Sequence, residues 1–382
     1  MTSASPAGTT LQAVDASRID PDALATLQKL HAHGHVAYLA GGCVRDLLVG
    51  RRPKDFDLVS SASALQVREL FPQSVAFGGR RFLVVQLRLG GGRVLEVATF
   101  RAHPAHDHPG PDAVIIQDEV LADYLPEQGT PEQDARARDF TVNGLFYDVV
   151  QGRVLDATGG QRDLQANLLR INGTPEEAPA RLRNDPGIML RGARFATRLG
   201  MELEPSTAEA MASCGDALAR CSRYRLLSET LRGVGAGTGA PFLRLVRKMG
   251  WLPLLLPPVA RWLEQGSGAR ERRLLAHVDA VDRQVRATGQ PFNQLALATA
   301  LLLPVATPDA GGPPDPAVLG AVLGELVEGE PELAPLPAHA RALTALVGQV
   351  VASPESGPQG HPLLPDARRL AALVVEAGTA QA

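Results

Sequence analysis

Two glycines, two aspartates and a glutamate, in that order, are the residues with which this sequence could do chemistry. Gly41-Gly42 closes a predicted strand at 36–40 and opens a short predicted helix at 44–49 that carries Arg45 and Asp46. Glycines at such a turn let backbone N–H groups come close to a phosphate, and a helix N-terminus favours negative charge. Asp55-Phe56-Asp57 stands at the start of the next predicted strand, 56–60. Strand alternation places both carboxylates on one face and turns Phe56 to the core. Two hard oxygen donors about 7 Å apart at their Cα atoms can hold Mg2+, which takes few carboxylates and leaves positions for phosphate oxygens. Two such ions can activate an attacking hydroxyl and stabilise a leaving pyrophosphate. Glu96, a polar residue inside the apolar run 95–99, offers a third acid from a later strand.

The elements that must position these residues follow from periodicity. A helical pattern covers 22–30, a second helix 64–70, and further strands 75–77, 82–89 and 93–100, with the glycines at 90–92 as a hairpin turn. After residue 150 short β signals flank Gly159-Gly160, and from Pro175 onward the pattern is helical. Residues 304–317, rich in Pro, Gly and Asp, read as a linker. The expected organisation is a flexible N-terminus at 1–23, an α/β head of small mixed sheet and helices at 24–150, a neck at 151–255, and a helical body and tail at 256–382. The fold class is thus an α/β head followed by an all-α body.

Composition narrows the class. With 45% hydrophobic and 21% charged residues the chain has ample material for a core. No apolar run reaches the roughly 18–20 residues of a membrane span, and the N-terminus lacks a basic start and an apolar stretch. A soluble, cytoplasmic protein with no membrane partner is expected. Cys43, Cys214 and Cys221 are too scattered for a disulfide framework or zinc site. His31, His33 and His35, and His103, His106 and His108, lack a completing Cys or Glu at a recognised spacing and read as exposed imidazoles. Trp251 and Trp262 read as helical core. The overall charge of −3 conceals a segment, 136–275, of net +7 between flanks of −4 and −6. A basic middle suits a polyanion, whose neutralised phosphates release counterions.

The order Gly41-Gly42-Cys43-Val44-Arg45-Asp46, then Arg52-Pro53-Lys54-Asp55-Phe56-Asp57, resembles the class II branch of the polymerase-beta-like nucleotidyltransferases, which holds bacterial poly(A) polymerases and CCA-adding tRNA nucleotidyltransferases. Arg138-Asp139-Phe140-Thr141-Val142-Asn143 is similar to that family's nucleotide-binding segment. Asp185-Pro186, followed by Met189-Leu190-Arg191-Gly192-Ala193-Arg194-Phe195, resembles its nucleobase-reading helix. The resemblance spans about residues 35–255. Gly79-Arg80-Arg81-Phe82, Glu96-Val97-Ala98-Thr99-Phe100-Arg101 and the insertion ending Gly129-Thr130-Pro131-Glu132-Gln133-Asp134 lean towards the poly(A) polymerase side.

The resemblance implies nucleotidyl transfer by two metal ions, mainly of AMP from ATP to RNA 3′ ends, with Mg2+ as cofactor and mRNA or tRNA as partner. Asp55, Asp57 and Glu96 would be the catalytic acids, Asp55 and Asp57 binding metal. Gly41, Gly42 and Arg45 would cradle the triphosphate, while Arg138, Asp139 and Asn143 would contact the nucleotide. Arg220, Arg223 and Arg225, ahead of Ser228-Glu229-Thr230-Leu231, would belong to the RNA-holding neck. One alternative is a tRNA nucleotidyltransferase that uses CTP as well as ATP to add all or part of the CCA end. Another is a binding protein that has lost catalysis. Two departures from the family pattern stand out: Ala137 replaces the first of two arginines, and Glu-Asp-x-x-Arg becomes Asn184-Asp185-Pro186-Gly187-Ile188. Isoleucine donates no hydrogen bond, so Asp185 would select an amine-bearing base with Arg191 or Arg194 as partial substitutes for the missing guanidinium. The oligomeric state is not written in these motifs.

Overall fold

The computed structural model describes residues 9–79, 82–103, 114–125, 127–353 and 360–379. The chain divides into two compact units, Met1–Arg181 with Met201–Ala210, and Leu182–Gly200 with Met211–Ala382. Arg80 and Arg81 of the expected subgroup motif lie outside the described residues, as do His106 and His108.

The first unit is built on eight strands: β1 (Ala37–Ala40), β2 (Asp57–Ser60), β3 (Ser74–Gly79), β4 (Phe82–Arg88), β5 (Val94–Thr99), β6 (Val114–Ile116), β7 (Leu145–Asp148) and β8 (Arg153–Asp156). Their order is β6-β3-β4-β5-β2-β1-β7-β8. Among the described residues of this sheet only β2 and β5 pair in parallel, so the sheet is mixed. Residues 151–181, expected with the neck, pack with this unit because β8 extends the sheet beside β7. Four helices bear on it: α1 (Pro21–Ala32), α2 (Gly42–Leu48), α3 (Ala64–Leu70) and α4 (Pro131–Ala137). Their starts are written locally. Asp20 caps α1 ahead of Pro21, and reciprocal capping boxes open α3 (Ser63 with Gln66) and α4 (Thr130 with Gln133).

Register decides what each face carries. Leu39, Leu58, Val97 and Val85 stand opposite one another across four strands and are all buried. The neighbouring row, one residue along and therefore on the other face, runs Phe146, Ala40, Asp57, Glu96, Gln86. A sheet with one apolar and one half-open face is the frame of the site.

The second unit is helical. Its principal helices are α5 (Gly187–Leu199), α6 (Arg223–Val234), α7 (Gly239–Lys248), α8 (Gly268–Thr288) and α9 (Gln294–Ala306). α5 packs on α6 and α7, α7 on α8, and α8 on α9. Gly233 lets the Phe242 ring approach so closely that a Cβ there would stand 2.5 Å from it. The buried Asp282 carboxylate accepts from the N–H groups of Gly239 (2.6 Å) and Ala240 (3.0 Å), which satisfies two orphan donors of α7. Trp251 is core, whereas Trp262 is half-buried beneath the guanidinium groups of Arg270 and Arg273. No helix among the described residues is long and apolar enough to cross a membrane.

The expected linker start at 304 is displaced: α9 continues through Pro304 to Ala306. Proline has no N–H to return to the backbone four residues earlier. The buried His277 ring of α8 lies beside the Ala300 backbone, the position that Pro304 leaves without its usual donor. Burial pushes this imidazole down to about 4, so it is neutral at pH 7.

Candidate active site

The acids are assembled by strand register. Asp57 opens β2, with Ala40, the last residue of β1, directly opposite on one side and Glu96 on the other. Adjacent strands are about 4.8 Å apart, so Asp57 and Glu96 are side-by-side neighbours on one face. Gln86, the partner of Glu96 on β4, donates to Glu96 Oε1 at 3.0 Å. Asp55 lies outside the strand, in the irregular approach to it, and is exposed. Strand alternation therefore does not place Asp55 beside Asp57 as the spacing predicts. Its charge nevertheless reaches Asp57.

The electrostatics of Asp57 mark the site. Asp57 is exposed as a whole residue, yet the protein around its carboxyl disfavours the ionised form. Burial is the largest cause that pushes it up to about 6. The Arg138 guanidinium opposes this, and the negative charges of Glu96 and Asp55 add to it. Such a concentration of carboxylate fits a hard divalent cation. Among the described residues no three or more His, Cys, Asp or Glu side chains close around a metal position. An open set of two or three acids fits a cation that completes its shell with substrate phosphate oxygens.

The glycine turn follows directly on Ala40, the strand partner of Asp57. Gly41 follows Ala40 with φ 69° and ψ −121°, a conformation L side chains rarely adopt, and its N–H donates to the Leu145 carbonyl at 2.8 Å. A Cβ on Gly41 would lie 3.0 Å from Arg138 Nη1 and 3.4 Å from the Asn143 carbonyl oxygen. Gly41→Ala is therefore expected to lose roughly 1–3 kcal/mol of stability to backbone strain and also to displace Arg138. Gly91 shares the positive φ with nothing within 4 Å of an added Cβ. Urea unfolding should register both Gly41→Ala and Gly91→Ala, whereas the KM for nucleotide should rise only in Gly41→Ala. Equal KM values would disconnect the turn from nucleotide binding.

Arg138 is held from behind. Asp134, one turn earlier, is buried; its Oδ2 accepts from Arg138 Nη2 at 3.1 Å and its Oδ1 from Arg101 Nε at 2.6 Å. The two guanidinium groups together hold the Asp134 carboxyl below the usual carboxylate range against the opposing effect of burial. Arg138 also lies 5.0 Å over the Phe146 ring. Its carbonyl accepts from Asn172 Nδ2 at 2.8 Å and from Arg181. Ala137, buried in the last turn of α4, has its carbonyl bonded by Arg181 Nη2 at 2.5 Å.

Arg45, Asp139 and Asn143 form an internal network. Arg45 is buried; Nη1 donates to Asn143 Oδ1 at 2.7 Å, and Nη2 pairs with Asp46 Oδ1 at 2.9 Å. Asn143 Nδ2 donates to Asp139 Oδ1 at 2.9 Å, which also accepts from the Phe140 N–H at 2.8 Å. These residues brace the segment 138–143 against the glycine turn. The supporting residues Arg101, Asp134, Asn172 and Arg181 carry no role in the sequence reading. The Asp134–Arg138 pair has a local signal, an i, i+4 spacing at the end of a capped helix. The pairing of Arg101 with Asp134 joins residues 33 apart in the chain, which no local motif announces.

The residues expected from the sequence to read the base lie in the second unit. Asp185 Oδ1 accepts from the Gly187 N–H at 3.1 Å and from Arg225 Nη2 at 2.5 Å, while Oδ2 accepts from Arg191 Nη2 at 3.3 Å. Arg194 pairs with Glu229 at 3.8 Å and lies over the Phe195 ring. Ile188 is buried in α5 and Asn184 is exposed.

Residues 37–170 match the family model described as the poly(A) polymerase head domain. Residues 200–263 match a model described as a probable RNA and SrmB-binding site of polymerase A. The chain belongs to the family of poly(A) polymerases and CCA-adding enzymes. It is 36% identical over 282 residues to poly(A) polymerase I of Salmonella typhi, covering 72% of this chain and 58% of that protein. To the CCA-adding enzyme of Geobacillus thermodenitrificans it is 33% identical over 268 residues, 67% of this chain and 62% of that protein. The match therefore spans less than two thirds of these family members' length. Among solved structures it is similar to the CCA-adding enzyme of Bacillus stearothermophilus in complex with CTP, with a TM-score of 0.54, 25% identity, and 93% of this chain and 83% of that chain covered. A Thermotoga maritima CCA-adding enzyme complexed with tRNA shares the fold, with a TM-score of 0.60, 19% identity, and 95% and 82% covered. Nucleotidyltransferases of this family use divalent metal ions.

Proposed function

We propose that this chain transfers nucleotides, chiefly AMP from ATP, to RNA 3′ ends without a template, as a poly(A) polymerase-like enzyme. The observation that carries the reading is the row Ala40, Asp57, Glu96 on one sheet face, with Arg138 packed against the Gly41 turn beside it. The N–H groups of the turn and the Arg138 guanidinium hold the triphosphate. Asp55 and Asp57 hold Mg2+, and Glu96 is the third acid, kept in place by Gln86. When bound, the cation would neutralise negative charge on the triphosphate. The Arg45–Asn143–Asp139 network keeps segment 138–143 rigid, so little reorganisation is required as charge develops on the phosphate. The RNA 3′-hydroxyl attacks the α-phosphate in line and pyrophosphate leaves.

The second reading, addition of all or part of the CCA end of tRNA, is favoured by the CCA-adding enzymes among the structural neighbours. Purified protein supplied with each of the four nucleotides, on a generic RNA primer and on tRNA lacking its terminus, separates the two. Long A-tracts on the generic primer are expected. Limited addition confined to tRNA would establish the second reading, and no incorporation on either substrate would overturn both.

A further inference from the structure

The family's base-reading motif has lost its arginine at Ile188, yet a guanidinium still stands beside Asp185. It comes from the first turn of α6. Arg225 reaches Asp185 Oδ1 by crossing the backbone at Gly187, where a Cβ would lie 2.4 Å from Arg225 Nη2 and 2.8 Å from Cζ. Only glycine leaves that seat open. The two arginines on Asp185 differ in exposure. The Arg191 side chain is 2% exposed and anchors Oδ2, whereas that of Arg225 is 28% exposed. Beyond its bond to Asp185, Arg225 makes no other side-chain hydrogen bond among the described residues. Its remaining donors are available to a ligand next to the carboxylate.

We propose that Arg225 is the specificity-determining guanidinium of this chain, with Gly187 providing its seat in compensation for Ile188. The inference rests on the nucleotidyltransferase reading above. The Asp185–Arg225 pair presents an acceptor beside a donor, which matches an amine-bearing base. The exocyclic amine of adenine or cytosine donates to Asp185, and the adjacent ring nitrogen accepts from Arg225. Guanine or uracil in the same pose sets a carbonyl oxygen against the carboxylate and a ring N–H against the guanidinium.

The test is the ratio of kcat/KM for ATP over GTP, and for CTP over UTP, on one RNA primer. Variants are Arg225→Met, Arg225→Lys, Gly187→Ala and the double variant Ile188→Arg with Arg225→Met. A well-placed pair of base contacts is worth roughly tenfold to a hundredfold in discrimination. Arg225→Met and Gly187→Ala should lose about that much, and Ile188→Arg should restore part of it in the Arg225→Met background. Arg225→Lys keeps the charge without the planar fork and carries the test if Arg225→Met fails to fold by circular dichroism. Unchanged ratios overturn the proposal, as does an equal fall for all four nucleotides, which marks a structural role. A wild-type protein that incorporates without base preference also overturns it, whereas one that incorporates nothing defeats the underlying activity reading.

Discussion

Asp57→Asn is expected to reduce nucleotidyl transfer on the order of a thousandfold or more while making the metal-free protein more resistant to heat at pH 7.5. Both effects have one source. The Asp57 carboxyl is pushed up to about 6 from an ordinary 3.8, so the folded state binds its proton more tightly than the unfolded state does. Above pH 6 the ionised group therefore destabilises the fold in full. That penalty fades as pH falls from 6 towards 3.8 and is absent below. Asparagine removes the charge, so its gain in melting temperature should be largest above pH 6 and vanish near pH 4. Divalent cation should stabilise the wild type and leave Asp57→Asn unmoved, because only a site that binds in the native state shifts the equilibrium. A variant that melts lower than wild type at pH 7.5 would contradict this account of the crowded carboxyl.

Arg138→Met carries the second large effect. The guanidinium faces Gly41, pairs with buried Asp134 and lowers the Asp57 proton affinity. Its removal should reduce kcat/KM for ATP by roughly a hundredfold. It should also move the acid limb of the pH–rate profile upwards, because Asp57 loses a cation that opposes its burial. Arg138→Lys retains a charge and should shift the limb less. Profiles taken from pH 5 to 9 check this, and an acid limb that does not move would separate Arg138 from the carboxylates.

The sheet and the acids on it are legible in the sequence because they depend on local periodicity. Alternation in 93–100 places Glu96 on a definite face, and the glycines after Ala40 announce a turn at the end of β1. Asp55 escapes that logic because β2 begins at Asp57, so strand geometry does not reach back to it. The motif names Arg45 as a phosphate ligand, but motif spacing does not say which donors the protein itself uses, and Asn143 and Asp46 use those of Arg45. Pro304 reads as a terminator because proline returns no N–H to the helix, and the packing that keeps residues 294–306 helical and buried is not local. Arg225 reads only as one of several neck arginines, since nothing local joins it to Asp185, 40 residues earlier.

Asp55, Asp57 and the Gly41–Gly42 turn are proposed to hold a metal-loaded triphosphate together. The most direct measurement is anomalous diffraction from crystals grown with Mn2+ and a non-hydrolysable ATP analogue. A manganese peak is expected at ligand distance from the Asp55 and Asp57 carboxylates, with the triphosphate against residues 41–45. A peak elsewhere, or carboxylates turned away from a bound triphosphate, would contradict it.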